Sequence, residues 1–143
     1  VGSEMCIRDR KKMPVLVMFI DLDRLKYIND TFGHEYGDFA IVSIAKAMLK
    51  HCDADAIAAR TGGDEFIVLE GAKDEESGRV LAQKIRTELS KTQRAMQLPF
   101  DLSASIGAVV AHPGEENVLE SYVKRAEMLM YEEKAEKKVS RDS

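Results

Sequence analysis

Residues 15–20 (VLVMFI) are apolar without a break. Six residues is a strand's length, and apolar character on both faces marks a central strand covered on each side. The run stops at Asp21-Leu22-Asp23. Residues 25–29 fit a short helix and 30–34 a turn. Over 38–50 the apolar positions Ile41, Ile44, Ala45, Met48 and Leu49 recur at helical spacing, with Asp38 placed as the N-cap. Residues 56–59 and 66–69 are short apolar stretches joined through Arg60-Thr61-Gly62-Gly63-Asp64-Glu65. That is the pattern of a β-hairpin whose glycines supply positive φ. Residues 74–90 read as a helix, with Leu81, Ala82, Ile85 and Leu89 on one face and Asp74 as cap. Phe100, Leu102, Ala104, Ile106, Ala108 and Val110 alternate with period two, a strand with one face on a core, closed by His112-Pro113-Gly114. A last helix over about 118–138 turns Leu119, Tyr122, Val123, Ala126, Leu129 and Met130 inward.

The order β–α–β–β–α–β–α predicts an α+β fold, a mostly antiparallel central sheet flanked by helices. The internal hairpin argues against a doubly wound sheet. A length of 143 residues fits one domain, and no repeat or linker divides it. Residues 13–139 are read as the folded unit and 140–143 as a flexible tail. Residues 1–12 carry no apolar period and are read as a non-native or disordered segment. Within them Met5-Cys6-Ile7-Arg8-Asp9 resembles the translated end of a sequencing-library adapter. On that reading the natural protein continues upstream.

Composition narrows the function. Hydrophobic residues at 45% and charged residues at 32% describe a packed globule, not a disordered chain. A net charge of −4 argues against nucleic acid as partner, yet leaves room for a small phosphorylated ligand. No apolar run approaches the ~20 residues of a membrane helix. Two cysteines, Cys6 and Cys52, make no disulfide framework and suit a reducing cytoplasm. Cys52 reads as a packed thiol and His34 as a turn histidine.

Four constellations carry possible chemistry, and each also has a structural reading. Asp21 and Asp23 at a strand end offer hard oxygen ligands to Mg²⁺, or simply stop the strand. Gly62 and Gly63 allow a phosphate to approach backbone N–H groups, with Asp64 and Glu65 beside them, or form an ordinary hairpin. Asn29 and Asp38 match the hydrogen-bonding edge of guanine, or are a turn residue and a cap. The basic end of the last helix, with Lys124, Arg125, Lys134, Lys137 and Lys138, reaches phosphates or merely complements the helix dipole.

The run from Asp21 through Asn29 to His34, then Gly37-Asp38, then Arg60 to Phe66, strongly resembles the GGDEF family of diguanylate cyclases. Ser105-Ile106-Gly107 and Lys124-Arg125-Ala126, with Tyr131 and Lys134, fit the same pattern, so the resemblance covers about 14–138. It implies a fold like nucleotidyl cyclases and the polymerase palm, and condensation of two GTP into cyclic di-GMP with release of two pyrophosphates. Two domains face each other in a homodimer. By the same resemblance, Asp21, Asp64 and the Leu22 carbonyl hold Mg²⁺ or Mn²⁺. Asn29 and Asp38 read guanine, Gly62 and Gly63 border the phosphates, and Lys26 and Lys134, with Lys138, neutralise them. Asp64 or Glu65 assists deprotonation of the 3′-hydroxyl.

Three departures stand out. The family's Arg-x-x-Asp product-inhibition site is here Asp53-Ala54-Asp55-Ala56, so feedback through it is not expected. Lys138 stands where the family often has arginine, keeping charge but losing the planar fork. The family's upstream helix is not in this chain, and an upstream sensor or regulatory domain is expected with it. Rival readings are an impaired domain that binds GTP or cyclic di-GMP to regulate a partner, and a plain dimerisation module.

Overall fold

A computed structural model describes residues 14–112 and 119–142. Its strands are β1 (Val15–Leu22), β2 (Ile57–Arg60), β3 (Glu65–Gly71) and β4 (Ala104–Ala111). Its helices are α1 (Leu25–Phe32), α2 (His34–His51), α3 (Ser77–Ala95) and α4 (Leu119–Asp142). The sheet runs β2-β3-β1-β4 with every neighbouring pair antiparallel. This is the α+β class expected, with the first strand inside the sheet as its unbroken apolar run requires.

Strand alternation divides the core in two. Leu16, Met18, Ile20 and Leu22 of β1 face α1, α2 and α3, where they meet Ile28, Ile44, Met48, Leu81, Ile85 and Leu89. Val17 and Phe19 face the other way, onto Tyr122, Ala126 and Met130 of α4. Each fully buried large side chain contributes roughly 1.5–3 kcal/mol. Gly107 lets α4 lie close to β4: a Cβ there would sit 2.0 Å from the Ala126 carbonyl oxygen and 2.4 Å from the Met130 nitrogen.

Several boundaries differ from expectation for local reasons. The turn expected over 30–34 shrinks to Gly33, whose φ of 99° ends α1 and admits α2. Asp38 therefore lies inside α2 and caps nothing. Asp74 does not cap α3 either; its carboxylate accepts from the Glu76 N–H, while the Ser77 hydroxyl accepts from the Lys73 and Asp74 N–H groups. Phe100 and Leu102 are buried but precede β4, because the Leu102 N–H bonds to the Gln93 side chain at 2.9 Å. The hairpin is present, yet neither Gly62 nor Gly63 has positive φ. On α4, Leu119 and Leu129 are exposed, and the helix runs through 140–142. Residues 1–12, Pro113 and Gly114 lie outside the described residues.

Gly107→Ala is expected to lower stability by about 3 kcal/mol, because backbone cannot yield to the added methyl. Gly63→Ala, with nothing within 4 Å of its Cβ position, is expected to stay within about 0.5 kcal/mol of the native protein. Urea unfolding of the two variants checks the contrast.

Candidate active site

The register of the sheet builds one end of it from acids. Asp21 pairs with Glu65 on β3 and with Ser105 on β4. Alternation turns Asp21 toward α4, as it does Val17 and Phe19. Along α4, Tyr131, Lys134 and Lys137 come at three-residue steps and meet three acids. The Tyr131 hydroxyl donates to Glu65 Oε1 at 3.0 Å. Lys134 Nζ lies 3.0 Å from Asp21 Oδ2 and donates to the Leu22 carbonyl at 3.0 Å. Lys137 Nζ donates to Asp23 Oδ2 at 2.7 Å and to the Ala104 carbonyl at 2.8 Å.

The two aspartates of the Asp-x-Asp pair are not equivalent. Asp23 is saturated: Ser103 donates to Oδ2 at 2.7 Å and Ser105 to Oδ1 at 2.6 Å, besides Lys137. Burial alone would raise its carboxyl, but Lys137, Ser105 and Ser103 together hold it below the ordinary range. Asp23 is thus a structural pin that ties the end of β1 to β4 and α4, with both carboxylate oxygens already engaged. Glu133 extends the pin, accepting from Arg86 of α3 at 2.8 Å and facing Lys137 at 3.3 Å.

Asp21 is left incomplete. It is 4% exposed, and its Oδ1 has no hydrogen-bond partner among the described residues. Burial pushes its carboxyl up to about 6, against the pull of Lys134 and with a further push from nearby Asp64. The Asp64 carboxylate therefore belongs to the same spot. A buried carboxylate oxygen without a donor, beside a second carboxylate and a carbonyl, is chemistry that fits a hard divalent cation. The Lys134 ammonium already stands on that carbonyl and on Oδ2, the other oxygen of the Asp21 carboxylate. No three His, Cys, Asp or Glu side chains cluster as metal ligands among the described residues, so water and phosphate would complete the shell.

The hairpin loop lies next to these acids. Arg60 Nε donates to the Gly62 and Gly63 carbonyls at 3.0 and 3.1 Å. In a trans peptide the N–H points opposite to the C=O. Drawing both carbonyls to Arg60 therefore turns the Gly63 and Asp64 N–H groups away from it. Neither glycine is demanded by packing, since a Cβ on Gly62 meets nothing closer than Glu65 at 3.6 Å and one on Gly63 meets nothing. The space beside both glycines is open among the described residues.

Asn29 and Asp38 come from successive helices. A Cβ at Gly37 would lie 1.8 Å from Asn29 Oδ1, so glycine there lets Asn29 rest beside the residue preceding Asp38. Lys26 and Lys138 are exposed and make no hydrogen bond or ion pair among the described residues. His34 opens α2 and is exposed. Cys52 is half-buried; burial and the neighbouring Glu70 push its thiol up to about 12, so it stays protonated. Sequence reasoning missed the Tyr131–Glu65 bond, the serine clasp on Asp23 and the Arg60 contacts. The three-residue step Tyr131-Lys134-Lys137 and the pair Ser103, Ser105 were the available signals.

A sequence model of the family described as diguanylate cyclase, GGDEF domain, matches residues 3–140. The chain is 32% identical over 131 residues to the bifunctional diguanylate cyclase/cyclic di-GMP phosphodiesterase MucR of Pseudomonas aeruginosa, covering 92% of this chain and 19% of that protein. It is 36% identical over 127 residues to the probable diguanylate cyclase DgcT of Escherichia coli, covering 87% of this chain and 28% of that protein. The chain thus spans well under half the length of these relatives. Among solved structures, an EAL/GGDEF domain protein from M. capsulatus superposes with a TM-score of 0.71 at 33% identity, covering 89% of this chain and 82% of that one. The active GGEEF domain of a diguanylate cyclase from Vibrio cholerae gives 0.73 at 25% identity, covering 92% and 82%.

The unequal aspartates have opposite expected effects on stability. Asp21→Asn is expected to stabilise the chelator-treated protein by about 1–3 kcal/mol at pH 7.5. A raised carboxyl destabilises only once ionised, so the gain is absent below about pH 4, grows toward about pH 6 and is complete above it. Asp23→Ala is expected to cost about 2–4 kcal/mol at neutral pH. The Asp23 contribution is present above the ordinary carboxylate range and is lost as pH falls through its lowered value. Urea melts of both variants from pH 4 to 8 measure the two signs.

Proposed function

The chain belongs to the GGDEF family of diguanylate cyclases, and from that premise we propose that it condenses two GTP into cyclic di-GMP with release of two pyrophosphates. The observation that carries this reading is the unpartnered, buried Oδ1 of Asp21, set beside Asp64 and an open glycine loop. Asp21, Asp64 and the Leu22 carbonyl would hold Mg²⁺ or Mn²⁺. Such an ion supplies charge neutralisation at phosphate oxygens and acidifies the attacking hydroxyl.

The protein's own groups do the rest. Asn29 offers a donor and an acceptor, and the Asp38 carboxylate accepts the two N–H groups of guanine's edge. The Gly63 and Asp64 N–H groups donate to phosphate, held in place by Arg60. Lys26, Lys134 and Lys138 balance the phosphate charge. Asp64 or Glu65 takes the proton of the 3′-hydroxyl, with Tyr131 keeping Glu65 oriented. The 3′-oxygen bonds to the partner nucleotide's α-phosphorus as the bond to the β-phosphate bridge breaks and pyrophosphate departs. Each domain brings one GTP, so the nucleophile arrives only when two domains face each other. An upstream domain that controls this pairing is part of the same proposal. The described residues contain no helix long and apolar enough to cross a membrane.

The stretch in place of the family's inhibitory site is acidic. Asp53 donates its N–H to Glu70 at 3.1 Å, and the Asp53-Ala54-Asp55-Ala56 turn adds two further acids. An anionic dinucleotide would meet repulsion there.

Fused to a dimerising partner and given GTP and Mg²⁺, the domain is expected to yield cyclic di-GMP by mass, falling at least about a hundredfold in Asp64→Asn. Full activity in that variant would sink the metal assignment. GTP binding by a folded dimer without any product would favour the regulatory reading. Product binding is expected to depend on the active-site ligands; tight binding surviving Asp21→Asn with Asp64→Asn would contradict the loss of feedback.

A further inference from the structure

Lys134 has a second place to be. The family resemblance expects it on phosphate, yet its ammonium rests 3.0 Å from Asp21 Oδ2 and 3.0 Å from the Leu22 carbonyl oxygen. They belong to two of the groups read above as cation ligands: the Leu22 carbonyl itself, and the Asp21 carboxylate through the oxygen next to its unpartnered Oδ1. We propose that Lys134 is a tethered counter-ion that fills the cation position while no nucleotide is bound, and transfers to phosphate when metal and nucleotide arrive together. The inference rests on the reading of Asp21 and Leu22 as metal ligands.

Three features support it. First, Asp21 is buried, and a buried carboxylate needs a positive partner. Among the described residues Lys134 is the ion-pair partner it has. Second, a divalent ion at about 2.1 Å from the Leu22 carbonyl oxygen would sit within a few ångströms of the ammonium that shares it, and like charges that close repel. Third, Lys134 is built to leave. Its ammonium uses two contacts, while an ammonium has three donors. Lys137, one turn-step along α4, is locked instead by Asp23, the Ala104 carbonyl and Glu133. Phosphate gives the displaced ammonium a new anion. Metal and nucleotide would then each strengthen the other's binding, reciprocally.

Mn²⁺ binding to the whole chain, measured by calorimetry with and without a non-hydrolysable GTP analogue, tests this. With metal alone, Lys134→Met is expected to bind Mn²⁺ about tenfold more tightly, as for a pocket otherwise open one-tenth of the time. The same variant is expected to bind the GTP analogue more weakly, a sign reversal that a simple phosphate lysine or a structural lysine does not produce. Lys134→Gln should repeat both changes. The gain should persist at raised salt, which screens exposed charges beyond a few ångströms. Unchanged or weaker Mn²⁺ binding in Lys134→Met, where native binding is lost in Asp21→Asn, overturns the counter-ion and leaves the metal site standing. A gain abolished by salt overturns it too, as a field effect. Mn²⁺ binding unaffected by Asp21→Asn would overturn the metal assignment itself, and the counter-ion with it.

Discussion

Asp21 at the end of the central strand and Asp23 two residues on both face the last helix, and both are buried there. Desolvation of two like charges at one strand end is the constraint the rest of this structure answers. The answer is a row on α4. Tyr131, Lys134 and Lys137 descend at three-residue steps onto Glu65, Asp21 and Asp23. Gly107 makes the row possible, because α4 could not approach β4 closely enough over a methyl group. Packing of α4 and chemistry at the sheet's end are therefore one problem.

The row treats its acids unequally. Asp23 gains two serine hydroxyls and an ammonium, and it ties β1 and β4 to α4. Asp21 gains one ammonium and keeps an oxygen with no donor. One carboxyl is drawn below its ordinary range and the other is pushed above it. Such a local violation of polar satisfaction is common at binding sites, and it lies beside the open hairpin on which the proposed phosphate contacts rest.

Much of the fold was legible because burial writes itself into periodicity. β1 follows from six unbroken apolar residues, and α4 from Tyr122, Ala126 and Met130 at helical spacing. Boundaries were less legible, since side-chain type is a weak guide to where backbone turns. Asp38 looks like a cap, but Gly33 takes that role through its φ. Phe100 and Leu102 alternate like strand residues, yet a glutamine side chain captures the Leu102 N–H before pairing begins. For the candidate site, Asp21, Asp64, Asn29 and Asp38 each carried a structural reading beside the chemical one, and the spaced pattern resembling a family weighted the choice. The resemblance set Asp21 and Lys134 apart from Asp23 and Lys137, but the clasp that holds Asp23 and Lys137 was not legible. It depends on sheet register and on Ser103 and Ser105, which carry no signal until β4 lies beside β1.

The central claim is that these neighbouring carboxyls are shifted in opposite directions, Asp21 upward by burial against the pull of Lys134, and Asp23 downward by Lys137, Ser105 and Ser103. Side-chain carboxyl ¹³C shifts of Asp21 and Asp23, followed by NMR in metal-free protein from pH 2 to 8, test it most directly. The account predicts that Asp21 titrates near 6 and Asp23 below the ordinary aspartate range. Two ordinary titrations, or the reverse order, would contradict it.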